Sequence, residues 1–533
     1  MQRLWLLTPF RNSIDSSQHV GMKSKPPSFV AMLDRAYTQI RKARWWGSAF
    51  FLSILAWEIS ILLLMARRKL FWYDELLTFH VSSLRPFSLI LRALQNGADG
   101  MPPSYYGIVW IAKILPVDDH IILRLPSILG YVLTLSGVYL FARKRLQASA
   151  GVVAVLLIIL SPFRDFALEA RSYTLLVGFL AISSVLWQRI DDSAFMKPLF
   201  AIFVALAVSC HYYGVVAISG IGIAELSWTL LSRKIRWSVW AALLIGTCPF
   251  FLQLPILLHY RSIFGEGFWS KPILRMSVSS YSFYLNVDVK FILVILVLFA
   301  TLVTVSLSRA LRGRDESPRE SFSVPELILI GGYLFYPPLL VLATTLGGGG
   351  YTERYGWPAI LGLVLGMVYV FRTICFRSSS AYLLGALVVV VFDQGRTDIK
   401  QLIKPASTVN DRWSTLAELS RGKVGIPIVI GSGLRYLEAA KYAPSEVREK
   451  LVEVIDPEIA SRLIGADTVD KTNRLLAQFI PLRLEDLAFF EATHPTFILV
   501  SGDFGDWFTR YALEKNYRLR LVSSHDAVYM AER

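Results

Sequence analysis

The chain of 533 residues is too apolar for a soluble protein, since 54% of its residues are hydrophobic and its mean hydropathy is +0.48. Many apolar runs approach the ~20 residues that a helix needs to cross ~30 Å of hydrocarbon. The formal net charge is +15, but Lys and Arg cluster in short segments between these runs. This pattern is typical of cytoplasmic loops and leaves no separate basic domain for nucleic acid.

Charge bias predicts the orientation of the chain. Residues 1–44 are polar and basic, and Arg41, Lys42 and Arg44 precede the first apolar run, which places this segment in the cytoplasm. Later basic clusters then define about eleven helical spans in residues 45–393. These spans cover residues 46–65, 121–142, 146–163, 172–187, 199–210, 215–231, 239–259, 291–308, 325–346, 357–371 and 382–392.

Two long external loops are expected at residues 66–120 and 260–289. The first contains an apolar stretch, 101–116, that is too short to span and suits an interfacial helix. Its basic trio, Arg67 to Lys69, breaks the charge rule and either reaches lipid headgroups or meets an anionic lipid phosphate.

Residues 394–533 read as a soluble α/β domain outside the cytoplasm. Short apolar strands are expected at 426–430, 496–500 and 519–522, and a charged helix at 445–454. The three cysteines of the chain, Cys210, Cys248 and Cys375, lie in or beside apolar runs and have neither disulfide nor zinc spacing.

An acidic pair, Asp74 and Glu75, follows the first span and has aromatic neighbours. Partial desolvation at the headgroup level would suit such a carboxylate to act as a general base. The same sequence would also fit an acidic pair in a solvated loop, with no catalytic role.

The segment after the third span also collects ionisable groups. In one continuous helix, Asp165, Glu169 and Tyr173 would share a face, and Arg171 offers a planar fork for a phosphate or a carboxylate. Four ionisable groups at a membrane edge are costly unless they are paired or functional.

Further candidates lie at other external helix ends. Arg354 follows a run of four glycines and could hold a lipid phosphate. His211 is more typical of a hydrogen-bonding anchor than of a catalyst. Glu58 and Glu225 lie within spans, where a carboxylate either has a function or pairs with a neighbouring helix.

The ordered motifs together resemble one family, the membrane glycosyltransferases of the C-type fold. The similarity is to the branch with the protein O-mannosyltransferases, the lipid A aminoarabinose transferases and their bacterial relatives (glycosyltransferase family 39 in the broad sense). It covers about residues 45–375. The motifs that carry it are Asp74-Glu75, Pro102-Pro103-Ser104-Tyr105-Tyr106, Arg124-Leu125-Pro126-Ser127, Glu169-Ala170-Arg171-Ser172-Tyr173, His211-Tyr212 and Arg354-Tyr355.

The resemblance implies an enzyme of the plasma membrane that takes a sugar from a polyprenyl-phosphate donor at the external face and inverts the anomeric centre. Asp74 would be the base, Glu75 would position the acceptor, and Arg171 or Arg354 would neutralise the leaving phosphate. The remaining site residues would be Glu169, Tyr173, His211, Tyr355 and Tyr105. No metal ligands are assigned, a divalent metal stays possible, and the acceptor is a lipid, a glycan or a protein.

Two other functions fit a polytopic chain. A transporter or lipid-linked sugar flippase often shows paired helix breaks in corresponding halves, and we see none in the sequence. A sensor or scaffold, with residues 394–533 as its recognition domain, would leave the acidic pair and Arg171 unexplained. The gathering of polar residues at one face therefore favours an interfacial enzyme.

Overall fold

The computed structural model describes residues 46–265, 267–287, 321–374, 379–403, 409–421, 425–502, 504–523 and 527–533. From Gly47 to Arg533 the chain forms one compact unit. Most of the described residues are helical, and a six-stranded sheet lies near the C-terminus.

The helices of the membrane part follow the predicted apolar runs and the loops between them. In chain order they are α1 (Trp46–Arg68), α2 (Tyr73–Ser83), α3 (Phe87–Gln95), α4 (Pro103–Ala112), α5 (Asp119–Ile122), α6 (Leu125–Ile159), the 3₁₀ helix η1 (Pro162–Leu168), α7 (Tyr173–Gln188), α8 (Met196–Cys210), α9 (Gly214–Ser232), α10 (Trp237–Phe264), α11 (Met276–Leu285), α12 (Val324–Leu334), α13 (Tyr336–Gly347), the 3₁₀ helix η2 (Glu353–Gly356), α14 (Ala359–Ile374) and α15 (Ser379–Ile403).

Several of these helices are long and apolar enough to cross a membrane. Among the described residues four segments qualify, namely α1, α5 with α6, α9 and α10, and up to six qualify if η1–α7 and α12–α13 each count as one bent span. The shorter apolar helices α8 and α14 add to the same layer. The polytopic helical fold is therefore confirmed, the total of eleven spans stays a prediction, and the predicted span at 291–308 lies outside the described residues.

The long helix α6 is in fact a hairpin. Gln147 has non-helical backbone angles, with φ 78°, at the point where it breaks. A Cβ built on Gly151 would lie 2.8 Å from the carbonyl oxygen of Tyr139, twelve positions earlier in the chain. Twelve residues of straight helix would separate these residues by ~18 Å. The chain therefore reverses beside the basic cluster at 143–145, between the second and third predicted spans.

The segment after this hairpin differs from its expected form. The condition of one continuous helix through Asp165, Glu169 and Tyr173 is not met, because η1 ends at Leu168 and its axis makes an angle of 115° with α7. Pro162 starts η1 at its first turn, and Glu169 has extended backbone angles that end it.

The two carboxylates within spans are both paired. Glu58 accepts hydrogen bonds from Arg164, which also contacts Asp398 of α15 at 2.8 Å. Glu225 pairs with Arg236 and accepts a hydrogen bond from the Trp187 indole at 2.9 Å. Each acts here as an interhelical tie.

The C-terminal domain carries a mixed sheet with helices packed against it. Its strands are β1 (Ile428–Ile430), β2 (Leu451–Ile455), β3 (Leu484–Asp486), β4 (Thr496–Val500), β5 (Arg518–Ser523) and β6 (Val528–Glu532), in the order β3-β2-β1-β4-β6-β5. Strands β1 to β4 are parallel to one another, and β6 runs antiparallel to β4 and β5.

The helices of this part are α16 (Val409–Ser420), α17 (Gly433–Tyr442), α18 (Ser445–Arg448), α19 (Pro457–Ile464), α20 (Thr468–Leu476), α21 (Leu487–Thr493) and α22 (Trp507–Glu514). The predicted helix at 445–454 is wrong beyond Arg448. Residues 451–455 instead form β2, in which every residue is buried, because four apolar side chains pack within a parallel sheet and the fifth, Glu453, accepts a hydrogen bond from Asn473.

Candidate active site

A cavity of about 820 Å³ lies between the helix ends of the membrane part and the C-terminal domain. Six of the nine site residues predicted from the sequence line it: Asp74, Arg171, Tyr173, His211, Arg354 and Tyr355. Glu75, Glu169 and Tyr105 are not among the lining residues. The cavity therefore brings together side chains from the first loop, the segment after η1, the end of α8 and η2.

Asp74 lies in the first turn of α2 and reaches the cavity with one oxygen free. Its Oδ2 accepts a hydrogen bond from Nη1 of Arg354 at 2.7 Å and lies 3.7 Å from Nη2 of Arg171. No group of the described residues donates to its Oδ1, and the side chain is 20% exposed. Two cations on one oxygen thus leave the other oxygen available to a ligand in the cavity.

Arg171 is held by a second acidic residue, Asp99. Its Nη1 donates to Asp99 Oδ2 at 2.7 Å, and Asp99 also accepts from the hydroxyl of Tyr106 and from the backbone N–H of Gly100. Both charged side chains are nearly buried, at 8% and 4% exposed. A buried charge with this many partners is fixed in place, so Arg171 is a preorganised cation of the cavity wall.

Glu75 points away from the cavity into the protein. Neither its side chain nor that of Arg124 is exposed, and Arg124 donates to both Glu75 oxygens at 2.8 Å. The backbone N–H of Ala170 donates to the same carboxylate at 2.8 Å. This geometry makes Glu75 a structural tie between α2, α6 and the segment after η1, and leaves it no free oxygen for an acceptor.

Tyr105 and Glu169 are the other two predicted site residues that do not line the cavity. Tyr105 is completely buried on α4, and its hydroxyl has no partner among the described residues. Glu169 lies in the loop between η1 and α7, where its carbonyl accepts a hydrogen bond from Ser127.

Aromatic rings form a continuous wall beside the two arginines. The rings of Tyr173 and Tyr213 lie 6.1 Å and 5.5 Å from that of Tyr355, and the His211 ring lies 5.2 Å from it. Burial lowers the pKa of His211 to about 3, with a smaller contribution from Arg171, so this imidazole is neutral at physiological pH. Its Nδ1 accepts a hydrogen bond from the backbone N–H of Tyr213 at 3.2 Å, so the proton lies on Nε2, and the ring adds one donor but no charge.

The glycine run at 347–350 lets two cavity side chains approach the backbone closely. Gly348 has φ +64°, and a Cβ there would lie 2.3 Å from the guanidinium of Arg261. A Cβ on Gly350 would lie 2.0 Å from the ring of Phe268. The absence of side chains in the run therefore allows Arg261 and Phe268 to pack directly against the backbone.

Arg261, with Arg171 and Arg354, is the third arginine on the part of the cavity wall that the membrane helices and their loops form, which we call the membrane end. It lies in the last turn of α10, is exposed, and has no acidic partner among the described residues. At this end three arginines thus face two carboxylates, Asp74 and Asp99, which leaves one positive charge for an anionic ligand.

The C-terminal domain is tied to both loops that line the cavity. The Tyr73 hydroxyl, next to Asp74, donates to Asn473 at 3.1 Å. Thr468 donates to the carbonyl of Gly267 at 3.1 Å and accepts from the backbone N–H of Trp269 at 3.1 Å. The first turns of α20 therefore close the cavity on the side of the soluble domain.

The sequence did not indicate Asp99, Arg261 or the residues of α20 as site residues. Asp99 had a signal, since it is an acid directly before the Pro-Pro motif. Arg261 had one as well, as a basic residue at the predicted external end of a span. Residues of α20 had no such signal in the sequence, because only the tertiary fold brings them to the cavity. In the described part of the chain, no group of three His, Cys, Asp or Glu residues could hold a metal ion.

No protein-family model and no curated protein sequence matches the chain. Solved structures of other proteins do match the chain. ArnT from Cupriavidus metallidurans bound to undecaprenyl phosphate aligns with a TM-score of 0.51 and 13% identity, over 92% of this chain and 98% of ArnT. Its apo structure aligns with a TM-score of 0.51 and 12% identity, over 91% and 98%.

An oligosaccharyltransferase from Archaeoglobus fulgidus, in complex with zinc and sulfate, matches with a TM-score of 0.42 and 11% identity over 89% of this chain and 73% of its own. The similarity to ArnT covers nearly the whole of both chains, including the C-terminal domain. The chain is thus a multi-pass membrane protein with the C-type glycosyltransferase fold.

Proposed function

We propose that this protein transfers a sugar from a polyprenyl-phosphate donor to an acceptor hydroxyl at the external face of the membrane. The observation that carries the proposal is the free Oδ1 of Asp74 in a cavity that is also lined by Arg171, Arg261 and Arg354. The fold is that of ArnT, a protein crystallised with undecaprenyl phosphate, which is a ligand of the proposed donor class.

The membrane end of the cavity suits a lipid donor. Leu258 of α10 lines the cavity and is 53% exposed, and Leu346 of α13, next to the lining residue Gly347, is 79% exposed. Exposed apolar side chains on spanning helices face lipid, so a polyprenyl chain could lie against them while its phosphate reaches Arg261. The unmatched positive charge at this end favours a phosphate there.

The reaction would be a single inverting displacement. Asp74 Oδ1 takes the proton of the acceptor hydroxyl, whose oxygen attacks the anomeric carbon. The bond from that carbon to the phosphate oxygen breaks, and polyprenyl phosphate leaves with the bonding electrons. Arg354, Arg171 and Arg261 offset the negative charge that develops on the leaving group.

Two variants of the full chain in lipid nanodiscs test this proposal, with a panel of radiolabelled polyprenyl-phosphate sugars and a membrane extract as the acceptor source. Asp74→Asn keeps the shape but removes the base, so turnover should fall by about two to four orders of magnitude. Asp191→Asn, on an exposed residue outside the cavity, is the control. If Asp74→Asn retains full turnover, Asp74 is not the base.

Arg261→Met should weaken binding of undecaprenyl phosphate by roughly tenfold or more, because a charge-assisted hydrogen bond is worth about 1.5–3 kcal/mol. Arg275→Met changes an exposed arginine that is not among the cavity lining and serves as its control. Equal affinities of the two variants would contradict the proposed place of the phosphate.

A further inference from the structure

The short segment before Asp74 is held by the C-terminal domain at two points. This segment connects the end of α1 with the first residue of α2, Tyr73. The backbone N–H of Phe71 donates a hydrogen bond to the hydroxyl of Tyr442, the last residue of α17, at 2.9 Å. The hydroxyl of Tyr73 donates to Oδ1 of Asn473, on α20, at 3.1 Å. Two helices of the C-terminal domain thus contact the residues directly before Asp74.

The amide of Asn473 has one orientation. Its side chain is completely buried, and Nδ2 donates to Oε1 of Glu453 on β2 at 2.8 Å and to the carbonyl of Gly433 at 3.3 Å. Both N–H bonds therefore have acceptors, which leaves Oδ1 for the hydroxyl of Tyr73. Because all of these groups are buried and paired, the amide cannot turn without breaking a hydrogen bond that water would not replace.

Glu453 takes part in this arrangement as a neutral acid. It is 2% exposed, and burial, with a smaller contribution from the charge of Asp470, raises the pKa of its carboxyl group well above the usual value. A protonated carboxyl group still accepts from Asn473 through Oε1. The amide oxygen of a glutamine at this position would do the same.

Tyr442 is fixed by partners on both sides of its hydroxyl. Besides the N–H of Phe71, Nε2 of His120 lies 3.2 Å from this oxygen, and Nδ1 of the same ring lies 3.2 Å from a carboxylate oxygen of Asp118. A neutral imidazole that donates through Nδ1 accepts at Nε2. The hydroxyl of Tyr442 therefore accepts from the backbone before α2 and donates to His120.

We infer that Asn473 and Tyr442 are positioning residues for Asp74, so that the C-terminal domain sets the place of the proposed base; the inference rests on the proposed function. Neither residue lines the cavity, so both act through the segment before α2. Arg124 holds the same segment from the other side, through carbonyls at the end of α1. A misplacement of about 1 Å can cost about a hundredfold in rate, so a general base on a short connection needs such ties.

The test compares three tyrosine-to-phenylalanine variants of the full chain in lipid nanodiscs, each of which removes one hydroxyl and keeps the ring. Tyr73→Phe and Tyr442→Phe each break one tie to the segment before α2. Tyr517→Phe removes a hydrogen bond of 2.7 Å to Glu491, within the C-terminal domain and outside the lining of the cavity, and is the control. The measurements are kcat and donor KM in the assay used for Asp74→Asn, the affinity for undecaprenyl phosphate, and the midpoint of unfolding.

A positioning role predicts a change in turnover of the folded enzyme. In Tyr73→Phe and Tyr442→Phe, kcat should fall roughly threefold to tenfold, the effect of losing one hydrogen bond, while donor KM and the affinity for undecaprenyl phosphate stay the same. Tyr517→Phe should lower at most the midpoint of unfolding. A wild-type kcat in either Tyr73→Phe or Tyr442→Phe, or an equal loss of kcat in Tyr517→Phe, would overturn the inference.

Glu453 separates the orientation of Asn473 from packing around it. Glu453→Gln keeps an acceptor for Asn473 and should retain the wild-type kcat, whereas Glu453→Leu removes that acceptor and should lower kcat as Tyr73→Phe does. Glu453→Leu should lower kcat no further in the Tyr73→Phe background, because both changes act through the same hydrogen bond. An equal loss in Glu453→Gln, or additive losses in the double variant, would remove the role of Asn473.

The same assay distinguishes this inference from the proposed function. If Asp74→Asn abolishes turnover while the tyrosine variants keep the wild-type kcat, Asp74 is still the base and the inference alone is wrong. If Asp74→Asn retains full turnover, the proposed base is wrong, and the inference fails with it.

Discussion

The buried pair of Glu75 and Arg124 allows a structural role of Glu75 to be distinguished from a role in catalysis. Arg124 donates to both Glu75 oxygens and also to three carbonyls at the end of α1, those of Ala66 at 2.7 Å, Lys69 at 2.6 Å and Leu70 at 3.0 Å. This one side chain therefore connects α1, α2 and α6 immediately behind Asp74.

Replacing one partner of such a pair should be costly, because the other charge stays buried without compensation. For Arg124→Met we expect a loss of about 3–5 kcal/mol in the free energy of unfolding. Glu75→Gln should lose less, since the amide oxygen still accepts one of the two hydrogen bonds from Arg124. The double variant Arg124→Met with Glu75→Leu should be more stable than Arg124→Met alone, because it removes both charges.

The assay is unfolding in detergent by denaturant, together with the acceptor KM of the folded fraction. Arg92→Met, on an exposed residue of α3, should change the free energy of unfolding by less than about 0.5 kcal/mol and is the control. If Glu75→Gln leaves stability unchanged and raises the acceptor KM, Glu75 contacts the acceptor, as the family resemblance implies, and the structural role argued here is refuted.

Two further predictions concern the glycine run and the C-terminal domain. Gly350→Ala should displace the Phe268 ring and lower turnover, whereas Gly385→Ala, where an added Cβ meets no atom within 4 Å, should not; steady-state kinetics compares them. Burial raises the pKa of Glu453 well above its usual value. The folded protein therefore holds a proton that the unfolded chain releases above about pH 4.5. As a result, the free energy of unfolding falls as the pH rises from there. Glu453→Gln should therefore raise the unfolding midpoint at pH 8 more than at pH 5, and the exposed Glu449→Gln should not.

The sequence could predict which helix ends share one side of the membrane because charge bias and span length decide the side of each helix end. Asp74, Arg171 and Arg354 each follow or precede a span on that side, so their meeting in one cavity agrees with this reasoning. Whether the N-terminus is cytoplasmic and the C-terminal domain external stays a prediction, as do the division of the chain at residues 44 and 393 and the roles of these residues.

The sequence could not predict which charged side chains pair with one another within the site. Nothing in the spacing of Glu75 and Asp74 tells which one Arg124 takes, and the answer decides which carboxylate is free. The strand β2 was missed because a charged helical turn runs directly into it without a glycine or proline to mark the boundary. The contribution of α20 depends on contacts between residues far apart in the chain, such as Tyr73 with Asn473, which are 400 positions apart.

In the proposed reaction, the acceptor and the leaving phosphate would share this one cavity. An inverting displacement needs the attacking oxygen and the leaving phosphate on opposite faces of the anomeric carbon. Arg261, which has no carboxylate partner among the described residues, lines the cavity together with Leu258 of α10, which is 53% exposed. Asp74 lines the same cavity with Oδ2 held by Arg354 and Oδ1 open. In the proposed reaction, Oδ1 would take the proton of the acceptor hydroxyl while the phosphate stays with the arginines. Because Oδ2 is already paired with Arg354, one carboxylate would serve the acceptor without releasing the cation that the leaving group needs nearby.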